Sequence, residues 1–286
     1  MKPTIAIISM GEMGAAVGRA LANGGARVIT SLEGRSQASA ARAAKAGVEL
    51  VHDDGTLVSQ ADYVLSIVPP SRAAALAERL LPHIRSAERK PVFVDCNAVA
   101  PLTVLQIAAP FLAEDIPFAD AGIIGLPPVP GSAGPRFYAS GPAVGSVEEL
   151  RAYGIDVRAL SSEVGDASAL KMSYAGITKG MQALGSAMLL GSVRAGVSRS
   201  LWLELQHSQP DLLRLFSRSL PQMYAKAYRW VGEMEEISKF LQADAGGSEM
   251  FTGAARLYDD IARDYAGTDR ERIAQLTDFL DQKEKL

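Results

Sequence analysis

Short apolar segments alternate with helical segments through the first half of this chain, and the strand pattern does not return after Gly165. Each apolar segment is continuously hydrophobic, which is typical of strands covered on both faces of a parallel sheet. Helices between successive strands imply βαβ units and therefore a doubly wound α/β fold. The predicted strands are Thr4–Ser9, Arg27–Ser31, Tyr63–Val68, Pro91–Asp95 and Asp156–Leu160, with shorter ones near Ala119–Gly122 and Arg136–Ser140.

A second region of the chain is helical throughout. It follows a glycine- and proline-rich stretch, 120–142, and begins with a long helix predicted over Ala169–Arg194. We therefore predict two domains. A dinucleotide-binding α/β domain would span residues 1–162, and an all-helical domain, expected to carry substrate and subunit contacts, would span residues 163–286.

The composition excludes several classes of protein. With 286 residues, 48% of them hydrophobic, the chain can bury a core and is not intrinsically disordered. A net charge of −3 argues against a nucleic-acid partner, because neutralising phosphates requires a basic face. A single cysteine, Cys96, cannot build a disulfide framework, and with three histidines it argues against a metal centre. Nothing in the cysteine content requires an oxidising compartment, so we expect a cytoplasmic protein. No apolar run reaches the roughly 18–20 residues of a membrane span, so we expect no membrane partner.

The first predicted strand runs into a glycine-rich turn, Ser9-Met10-Gly11-Glu12-Met13-Gly14, which precedes a predicted helix over Glu12–Asn23. Glycines in such a turn let backbone N–H groups approach a pyrophosphate, and the helix start adds a favourable dipole potential. A preceding strand and a following helix are the context that a dinucleotide-binding motif requires. We interpret all six residues as the cofactor-binding turn of a Rossmann-like domain, with Ser9 in place of the first glycine.

The loop after the second strand bears on which dinucleotide is bound. An acidic residue at that strand end holds the ribose 2′-hydroxyl of NAD, whereas an arginine accommodates the 2′-phosphate of NADP. No acid ends this strand, while Arg35 can pair with a phosphate and Ser36 can donate its hydroxyl. Glu33 is the competing signal, since its carboxylate can bind a ribose. The loop therefore favours NADP(H), with NAD(H) as the alternative.

Taken in order, several segments resemble the motifs of the β-hydroxyacid dehydrogenase superfamily, which includes 3-hydroxyisobutyrate and 6-phosphogluconate dehydrogenases. The glycine-rich turn resembles its first motif, and Gly34-Arg35-Ser36 resembles the Asn-Arg-Thr of its NADP-dependent members. The other similar segments are Val68-Pro69-Pro70, Asp95-Cys96-Asn97-Ala98 with Pro101, Asp120-Ala121-Gly122-Ile123-Ile124-Gly125, and Gly165-Asp166-Ala167-Ser168-Ala169-Leu170-Lys171. The C-terminal part resembles a less characterised branch of these oxidoreductases with a helical domain.

The resemblance implies roles for individual residues. It implies cofactor contacts for Val68, Pro69 and Asn97, substrate contacts for Gly122, Ile123 and Ile124, and the catalytic role for Lys171. An equally good interpretation of Asn97 is a loop-capping residue, because asparagine after a strand often caps a turn. The chain also departs from the family: Ile124, Leu126 and Ala175 replace its substrate-loop serine, second glycine and an asparagine after the lysine. Those groups normally hold a substrate carboxylate, so their replacement bears on the substrate class rather than on the reaction type.

The helix that carries Lys171 has a polar stripe. At about 100° per residue, Thr178 and Gln182 lie within about 20° of Lys171, and Tyr174 lies about 60° away. A polar stripe on an otherwise apolar helix suggests a lined cavity, so Tyr174 and Thr178 are candidate substrate residues. The alternative is that Lys171 extends to solvent. Lys179 is interpreted as a surface lysine, with a supporting role as the alternative.

Cys96 and Trp230 are two further side chains that could contact a ligand. Cys96 is interpreted as a structural thiol rather than a nucleophile. Trp230 is expected to pack the helical domain or a subunit interface, with pocket lining as the alternative.

Together these residues predict an NADPH-preferring oxidoreductase that moves a hydride between nicotinamide and a small hydroxy or oxo compound. Lys171 would move the hydroxyl proton as general acid and base, which a lysine can do when its pKa falls towards neutrality. One alternative is an imine or ketone reductase of the same architecture, which the apolar Ile124 would suit. The other is a non-catalytic NADP(H)-binding sensor. Long apolar helices in the second domain, and the resemblance, imply a homodimer.

Overall fold

The computed structural model describes residues 2–31, 37–128 and 134–282. They form two compact units, residues 1–172 and residues 173–286. The first unit is built on one sheet, whose strands follow the order β3-β2-β1-β4-β5-β6-β7-β8. The strands are β1 (Thr4–Ile8), β2 (Arg27–Ser31), β3 (Glu49–Val51), β4 (Tyr63–Ser66), β5 (Val92–Asp95), β6 (Phe118–Ile124), β7 (Arg136–Ser140) and β8 (Asp156–Ser161).

Every neighbouring pair of strands is parallel except β6 and β7, which are antiparallel. The carboxyl ends of β1, β4, β5 and β6 therefore lie at one edge, which is where open α/β sheets bind their ligands. This arrangement confirms the predicted Rossmann-like doubly wound sheet.

Helices cover both faces of the sheet. Along β1, Ile5 and Ile7 join one hydrophobic core cluster, whereas Ala6 and Ile8 join the other. Burial on both faces explains why the strands are continuously apolar rather than alternating. The helices of this unit are α1 (Glu12–Asn23), α2 (Gln37–Lys45), α3 (Asp54–Gln60), α4 (Ala73–Ser86), α5 (Pro101–Leu112) and α6 (Val144–Glu148).

Some elements differ from the predictions. β3 and α3 were not predicted, because β3 is a short edge strand with Glu49 and Leu50 exposed and α3 is only a short helix. The backbone N–H of Thr56 donates to the Asp53 carboxylate, a local cap that starts α3. β6 runs through seven buried residues, longer than the predicted strand, because antiparallel pairing with β7 extends it to Ile124.

The second unit contains no strand among its described residues, which confirms the predicted all-helical region. The boundary between the units falls inside α7, whereas the sequence places it near Ser162. The difference arises because the first turn of α7 is bonded to β6 and so belongs to the first unit. The helices are α7 (Asp166–Arg194), α8 (Ser198–Ser208), α9 (Pro210–Met223), α10 (Ala227–Phe240), α11 (Ala245–Ala266) and α12 (Glu271–Leu280).

A buried aromatic pair packs the helices of the second unit. Tyr258 of α11 is buried, and its ring meets Trp230 of α10 edge-on, with 5.3 Å between the centroids. The Tyr258 hydroxyl donates to the carbonyl of Lys179 on α7 at 2.6 Å, so one side chain joins three helices. Across the described ranges, no helix combines the length and the apolar character that crossing a bilayer requires.

Candidate active site

The glycine-rich turn lies between β1 and α1, as the sequence predicts. Ser9 adopts φ +85°, the left-handed conformation that the first glycine of such a turn would take. A Cβ added to Gly14 would lie 2.0 Å from the Ser9 carbonyl oxygen, so helix and turn approach too closely for any side chain there. A Cβ added to Gly11 would meet nothing within 4 Å. The backbone at Gly11 is therefore open to a phosphate at the start of a helix, which fits a dinucleotide.

The loop that bears on cofactor choice lies outside the described residues, and with it Glu33, Arg35 and Ser36. A different arginine reaches the turn: the Arg42 Nε of α2 donates to the carbonyl of Met10. Arg42 is not predictable from the sequence, because nothing in the local pattern relates a residue of α2 to the turn. Its contact places a guanidinium beside the predicted cofactor turn.

Asn97 connects the carboxyl ends of β4 and β5. Its Oδ1 accepts from the backbone N–H of Val68 at 2.7 Å, and its Nδ2 donates to the Ser66 hydroxyl at 2.8 Å. The Asn97 backbone N–H donates to the Asp95 carboxylate at 2.9 Å, and the residue is buried. These contacts are those of a loop-capping residue. They fix Val68, and the Pro69 that follows it, at the edge of the sheet beside the glycine-rich turn.

Lys171 and the end of β6 are in direct contact. The Lys171 Nζ donates to the carbonyl of Ile123 at 2.6 Å, and its side chain is partly buried. A Cβ added to Gly122 would lie 2.9 Å from the Ala167 carbonyl oxygen and 3.0 Å from the Lys171 Cβ. Only a glycine lets α7 pack this closely on the strand. The structure thus brings together Lys171 and the predicted substrate-loop residues Gly122 and Ile123.

Asp120 lies under the first turn of α7, and its side chain is fully buried. Its Oδ2 accepts from the backbone N–H groups of Gly165 at 3.1 Å and Ser168 at 2.9 Å, and its Oδ1 accepts from the Ser168 hydroxyl at 2.8 Å. Ser140 adds a longer hydroxyl contact of 3.5 Å, while its oxygen accepts from the Ala167 N–H. The carboxyl group therefore caps the start of α7, and its partner Gly165 lies 45 residues later in the chain.

A second buried carboxyl group lies beside Asp120. Asp95 occupies the paired position on β5, and burial raises its pKa to about 7 against a hydrogen bond from Asn97. Burial also raises the pKa of Asp120, while its several hydrogen-bond donors oppose that rise. Both aspartates lie within family-like motifs, and the sequence signal for each is an acid inside an apolar strand. Burial raises the pKa of the neighbouring Cys96 thiol as well, which supports a structural cysteine.

The remaining substrate candidates have different surroundings. Ile124 is buried, while Leu126 is exposed. Tyr174 and Thr178 belong to the second unit; Tyr174 is half-exposed, and the Thr178 hydroxyl donates to the Tyr174 carbonyl at 2.9 Å.

The interpretation of Lys179 as a surface lysine is wrong. Its side chain is 16% exposed and forms an ion pair with Glu233, 15% exposed. The Lys179 Nζ also lies 4.8 Å from the centroid of the Trp230 ring. The position of Lys179 around α7 does not predict its burial, because Glu233 and Trp230, the side chains that cover it, belong to α10. The contact with Tyr258 and Lys179 supports the packing role of Trp230.

Two domain families match this chain. Residues 4–143 match the NAD binding domain of 6-phosphogluconate dehydrogenase, and residues 193–261 match a domain of unknown function, DUF1932. The first match covers strands β1 to β7 and the glycine-rich turn. The chain carries an NAD-binding domain of the 6-phosphogluconate dehydrogenase family.

Individual proteins are similar to this chain over different shares of its length. A curated relative is an uncharacterised 28.5 kDa protein of Methanothermus fervidus, 31% identical over 157 residues, which are 55% of this chain and 58% of the relative. The chain thus matches little more than half the length of that relative. A solved conserved protein of unknown function, described as structurally similar to 3-hydroxyacid dehydrogenases, is 29% identical with a TM-score of 0.67. That match covers 93% of this chain and all of the other.

A third solved structure shares the fold of this chain at low sequence identity. The Mycobacterium tuberculosis 3-hydroxyisobutyrate dehydrogenase, solved with L-serine, superimposes with a TM-score of 0.73 over 97% of this chain and 99% of its own, at 17% identity. Compared with the β-hydroxyacid dehydrogenase motifs that its segments resemble, the chain keeps the lysine and the glycine-rich turn but carries Ile124 in place of the substrate-loop serine.

Proposed function

We propose that this protein is an NADPH-preferring oxidoreductase that transfers a hydride between nicotinamide and the carbon of a small hydroxy or oxo compound. One observation carries the proposal: the amine of Lys171 lies 2.6 Å from the carbonyl of Ile123, at the sheet edge that also carries the glycine-rich turn. General acid–base catalysis needs a titratable group fixed within reach of the reacting atom. Lys171 is titratable, and its hydrogen bond to the end of β6 fixes its position.

The proposed work of Lys171 is proton transfer. The nicotinamide, when bound, supplies or accepts the hydride. During oxidation, the neutral Lys171 amine takes the proton of the substrate hydroxyl; during reduction, its ammonium returns that proton to the carbonyl oxygen. The Ile123 carbonyl accepts one Nζ–H and so limits the rotation of the amine. The oxidative direction therefore needs Lys171 as the neutral amine.

Cofactor binding is assigned to the turn from Ser9 to Gly14 and to the loop that contains Arg35 and Ser36. The open backbone at Gly11 supports the pyrophosphate contact. Arg35 and Ser36 are proposed to hold the 2′-phosphate. Arg35→Ala should therefore weaken NADPH much more than NADH, as measured by fluorescence titration of both. Equal affinities of the variant and the wild-type protein for NADPH would remove the 2′-phosphate role.

The alternative substrate class is an imine or a ketone without a carboxylate. Ile124 supports it, because a buried isoleucine in place of the family serine removes a hydroxyl that could bind a carboxylate. The third candidate, a cofactor sensor, predicts tight NADPH binding without turnover.

The deciding experiment is the change in nicotinamide absorbance over a substrate panel. The panel holds 3-hydroxyisobutyrate, L-serine, small 3-oxo acids, aldehydes, ketones and cyclic imines, and runs in both directions. Wild-type protein, Lys171→Ala and the surface control Lys90→Ala are compared. We expect turnover that Lys171→Ala lowers by about 10²–10⁴-fold and Lys90→Ala leaves unchanged. Turnover confined to imines would select the alternative, and NADPH binding without any turnover would select the sensor.

We also propose that the protein is a homodimer formed along α7. Large apolar side chains on this helix are exposed: Ile177 by 70%, Leu184 by 59% and Met188 by 60%. At about 100° per residue they lie within about 40° of one another, so they form one apolar stripe. Sedimentation at micromolar protein should give twice the chain mass, and Leu184→Glu should lower it to that of one chain. A wild-type mass of 30.3 kDa at every concentration would exclude the dimer.

A further inference from the structure

The carboxyl group of Asp120 and the amine of Lys171 are attached to the same two elements. Asp120 and Ile123 lie three residues apart on β6, while Ser168 and Lys171 lie three residues apart on α7. We infer that Asp120 is a positioning residue for Lys171: its carboxylate fixes the first turn of α7 to β6 and so places the lysine amine against the Ile123 carbonyl. The inference deepens the proposed function and rests on it for its catalytic meaning.

Two points of attachment fix both the position and the tilt of the helix start. One is the Asp120 carboxyl with the Ser168 N–H and hydroxyl; the other is the Lys171 amine with the Ile123 carbonyl. Between them, Gly122 lies so close to α7 that an added Cβ would meet the Lys171 Cβ at 3.0 Å. The helix therefore has no room to move towards the strand, and the Asp120 contacts prevent it from moving away.

The contacts of Asp120 require a carboxylate rather than a neutral side chain. Its two oxygens receive N–H and O–H donors only, and they lie at a helix N-terminus, where negative charge is stabilised. Ser140 accepts the Ala167 N–H, so its own proton is directed at Asp120.

Asp95 is the member of this pair that would hold a proton. It receives a hydrogen bond from Asn97, and its Oδ2 has no partner among the described residues. When two adjacent buried carboxyl groups share one charge, the member with more hydrogen-bond donors carries it. In this pair the charge belongs to Asp120.

The test measures the position of Lys171 without cofactor or substrate. Trace labelling with acetic anhydride, followed by mass spectrometry across a pH series, gives the limiting labelling rate of each lysine amine. The variants are Asp120→Asn and, as a control, Asp53→Asn, which removes the carboxylate that caps α3 in the same unit. Exposed Lys90 provides the reference amine within each sample.

We expect Asp120→Asn to raise the limiting labelling rate of Lys171 towards that of Lys90, by about threefold or more, because a loosened helix start exposes the amine. Asp53→Asn should lower thermal stability and leave the Lys171 rate unchanged. An Asp120→Asn protein that is less stable but labels Lys171 at the wild-type rate would overturn the inference. If that variant does not fold, Ser168→Ala, which removes the hydroxyl donor to Asp120, is judged by the same criterion.

The labelling result is independent of the substrate panel. Absence of turnover would defeat the proposed function while leaving the positioning of Lys171 measurable. Where turnover is found, Asp120→Asn should lower kcat with little change in the KM for NADPH, since the glycine-rich turn is untouched.

Discussion

Asp95 and Asp120 lie opposite each other in the register of β5 and β6, and neither side chain reaches solvent. Asp120 is satisfied by donors from α7 and β7, whereas one oxygen of Asp95 has no partner among the described residues. A buried carboxyl group in this position keeps its proton to higher pH than it would in water. The pKa of Asp95 is raised to about 7, mainly by burial.

Asp95 should make the protein less stable as pH rises from about 4 to 7. In the unfolded chain Asp95 loses its proton near its ordinary pKa of 3.8, while in the folded protein it keeps it until about 7. The unfolded state is therefore favoured increasingly between these two pH values. The free energy of unfolding falls by at most about 4 kcal/mol, because the two pKa values of Asp95 differ by about three. Asp95→Asn should unfold at higher urea concentration than wild type at pH 7, with the difference shrinking towards pH 4.

Asp53 is the control for that pH series, because folding lowers its pKa whereas folding raises the pKa of Asp95. Hydrogen bonds from Thr56 lower its pKa to about 2, so its stabilisation is present above its ordinary pKa of 3.8 and lost as pH falls through about 2. Asp53→Asn should therefore be less stable than wild type at pH 7. If the wild-type protein and Asp95→Asn show parallel urea midpoints from pH 4 to 7, Asp95 does not titrate as the burial implies.

Ser9→Gly should stabilise the protein. Ser9 has φ +85°, where a Cβ costs about 1–2 kcal/mol that glycine does not incur. The greater freedom of glycine in the unfolded chain offsets part of this gain, leaving a net stabilisation of about 0.5–1 kcal/mol by denaturant unfolding. Ser59→Gly, within helix α3, should instead destabilise by about 0.5–1 kcal/mol. Destabilisation of similar size at both positions would show that the Ser9 backbone is not strained.

The two glycines of the turn should respond differently to alanine. Gly14→Ala should destabilise the fold by about 1–3 kcal/mol, because its Cβ would lie 2.0 Å from the Ser9 carbonyl oxygen. Gly11→Ala should fold normally, since its Cβ meets no protein atom within 4 Å, but should bind NADPH more weakly. Thermal unfolding and NADPH fluorescence titration separate the two effects. Wild-type NADPH affinity in Gly11→Ala would mean that the pyrophosphate lies elsewhere.

Removing one partner of the Lys179–Glu233 pair should be costly. Lys179→Met leaves a largely buried carboxylate without its cation, and we expect a loss of about 3 kcal/mol in the free energy of unfolding. The double variant Lys179→Met/Glu233→Leu should recover most of that loss, because no charge remains buried. Arg214→Met breaks an exposed ion pair with Asp211 and should change stability by less than about 0.5 kcal/mol. Additive losses in the double variant would show that the two charges do not interact.

Local patterns predicted most of the sheet and its cofactor turn. The strand at Thr4–Ile8, the helix at Glu12–Asn23 and the turn between them follow from hydrophobic runs and glycines within a few residues of each other. The sequence does not predict β3, because its side chains are largely exposed and it contains no apolar run.

The contacts that organise the candidate site depend on residues far apart in the chain. Asp120 meets Ser168 across 48 residues, Arg42 meets Met10 across 32, and Asn97 meets Val68 across 29. No periodicity or local motif encodes such pairs. The lysine was found because a family motif surrounds it, whereas its neighbours required the three-dimensional structure.

Because Asp120 of β6 caps α7, the first turn of this helix can unfold only when the contacts of β6 are also broken. A helix end held by its own N-cap can open and close alone, but here the amides of Gly165 and Ser168 are covered by a side chain of β6. Those two amides should therefore exchange with deuterium as slowly as the amides of β6, far more slowly than a fraying helix end. The helical turn that carries Lys171 would then have the same free energy of local unfolding as the sheet, and it would unfold together with the sheet.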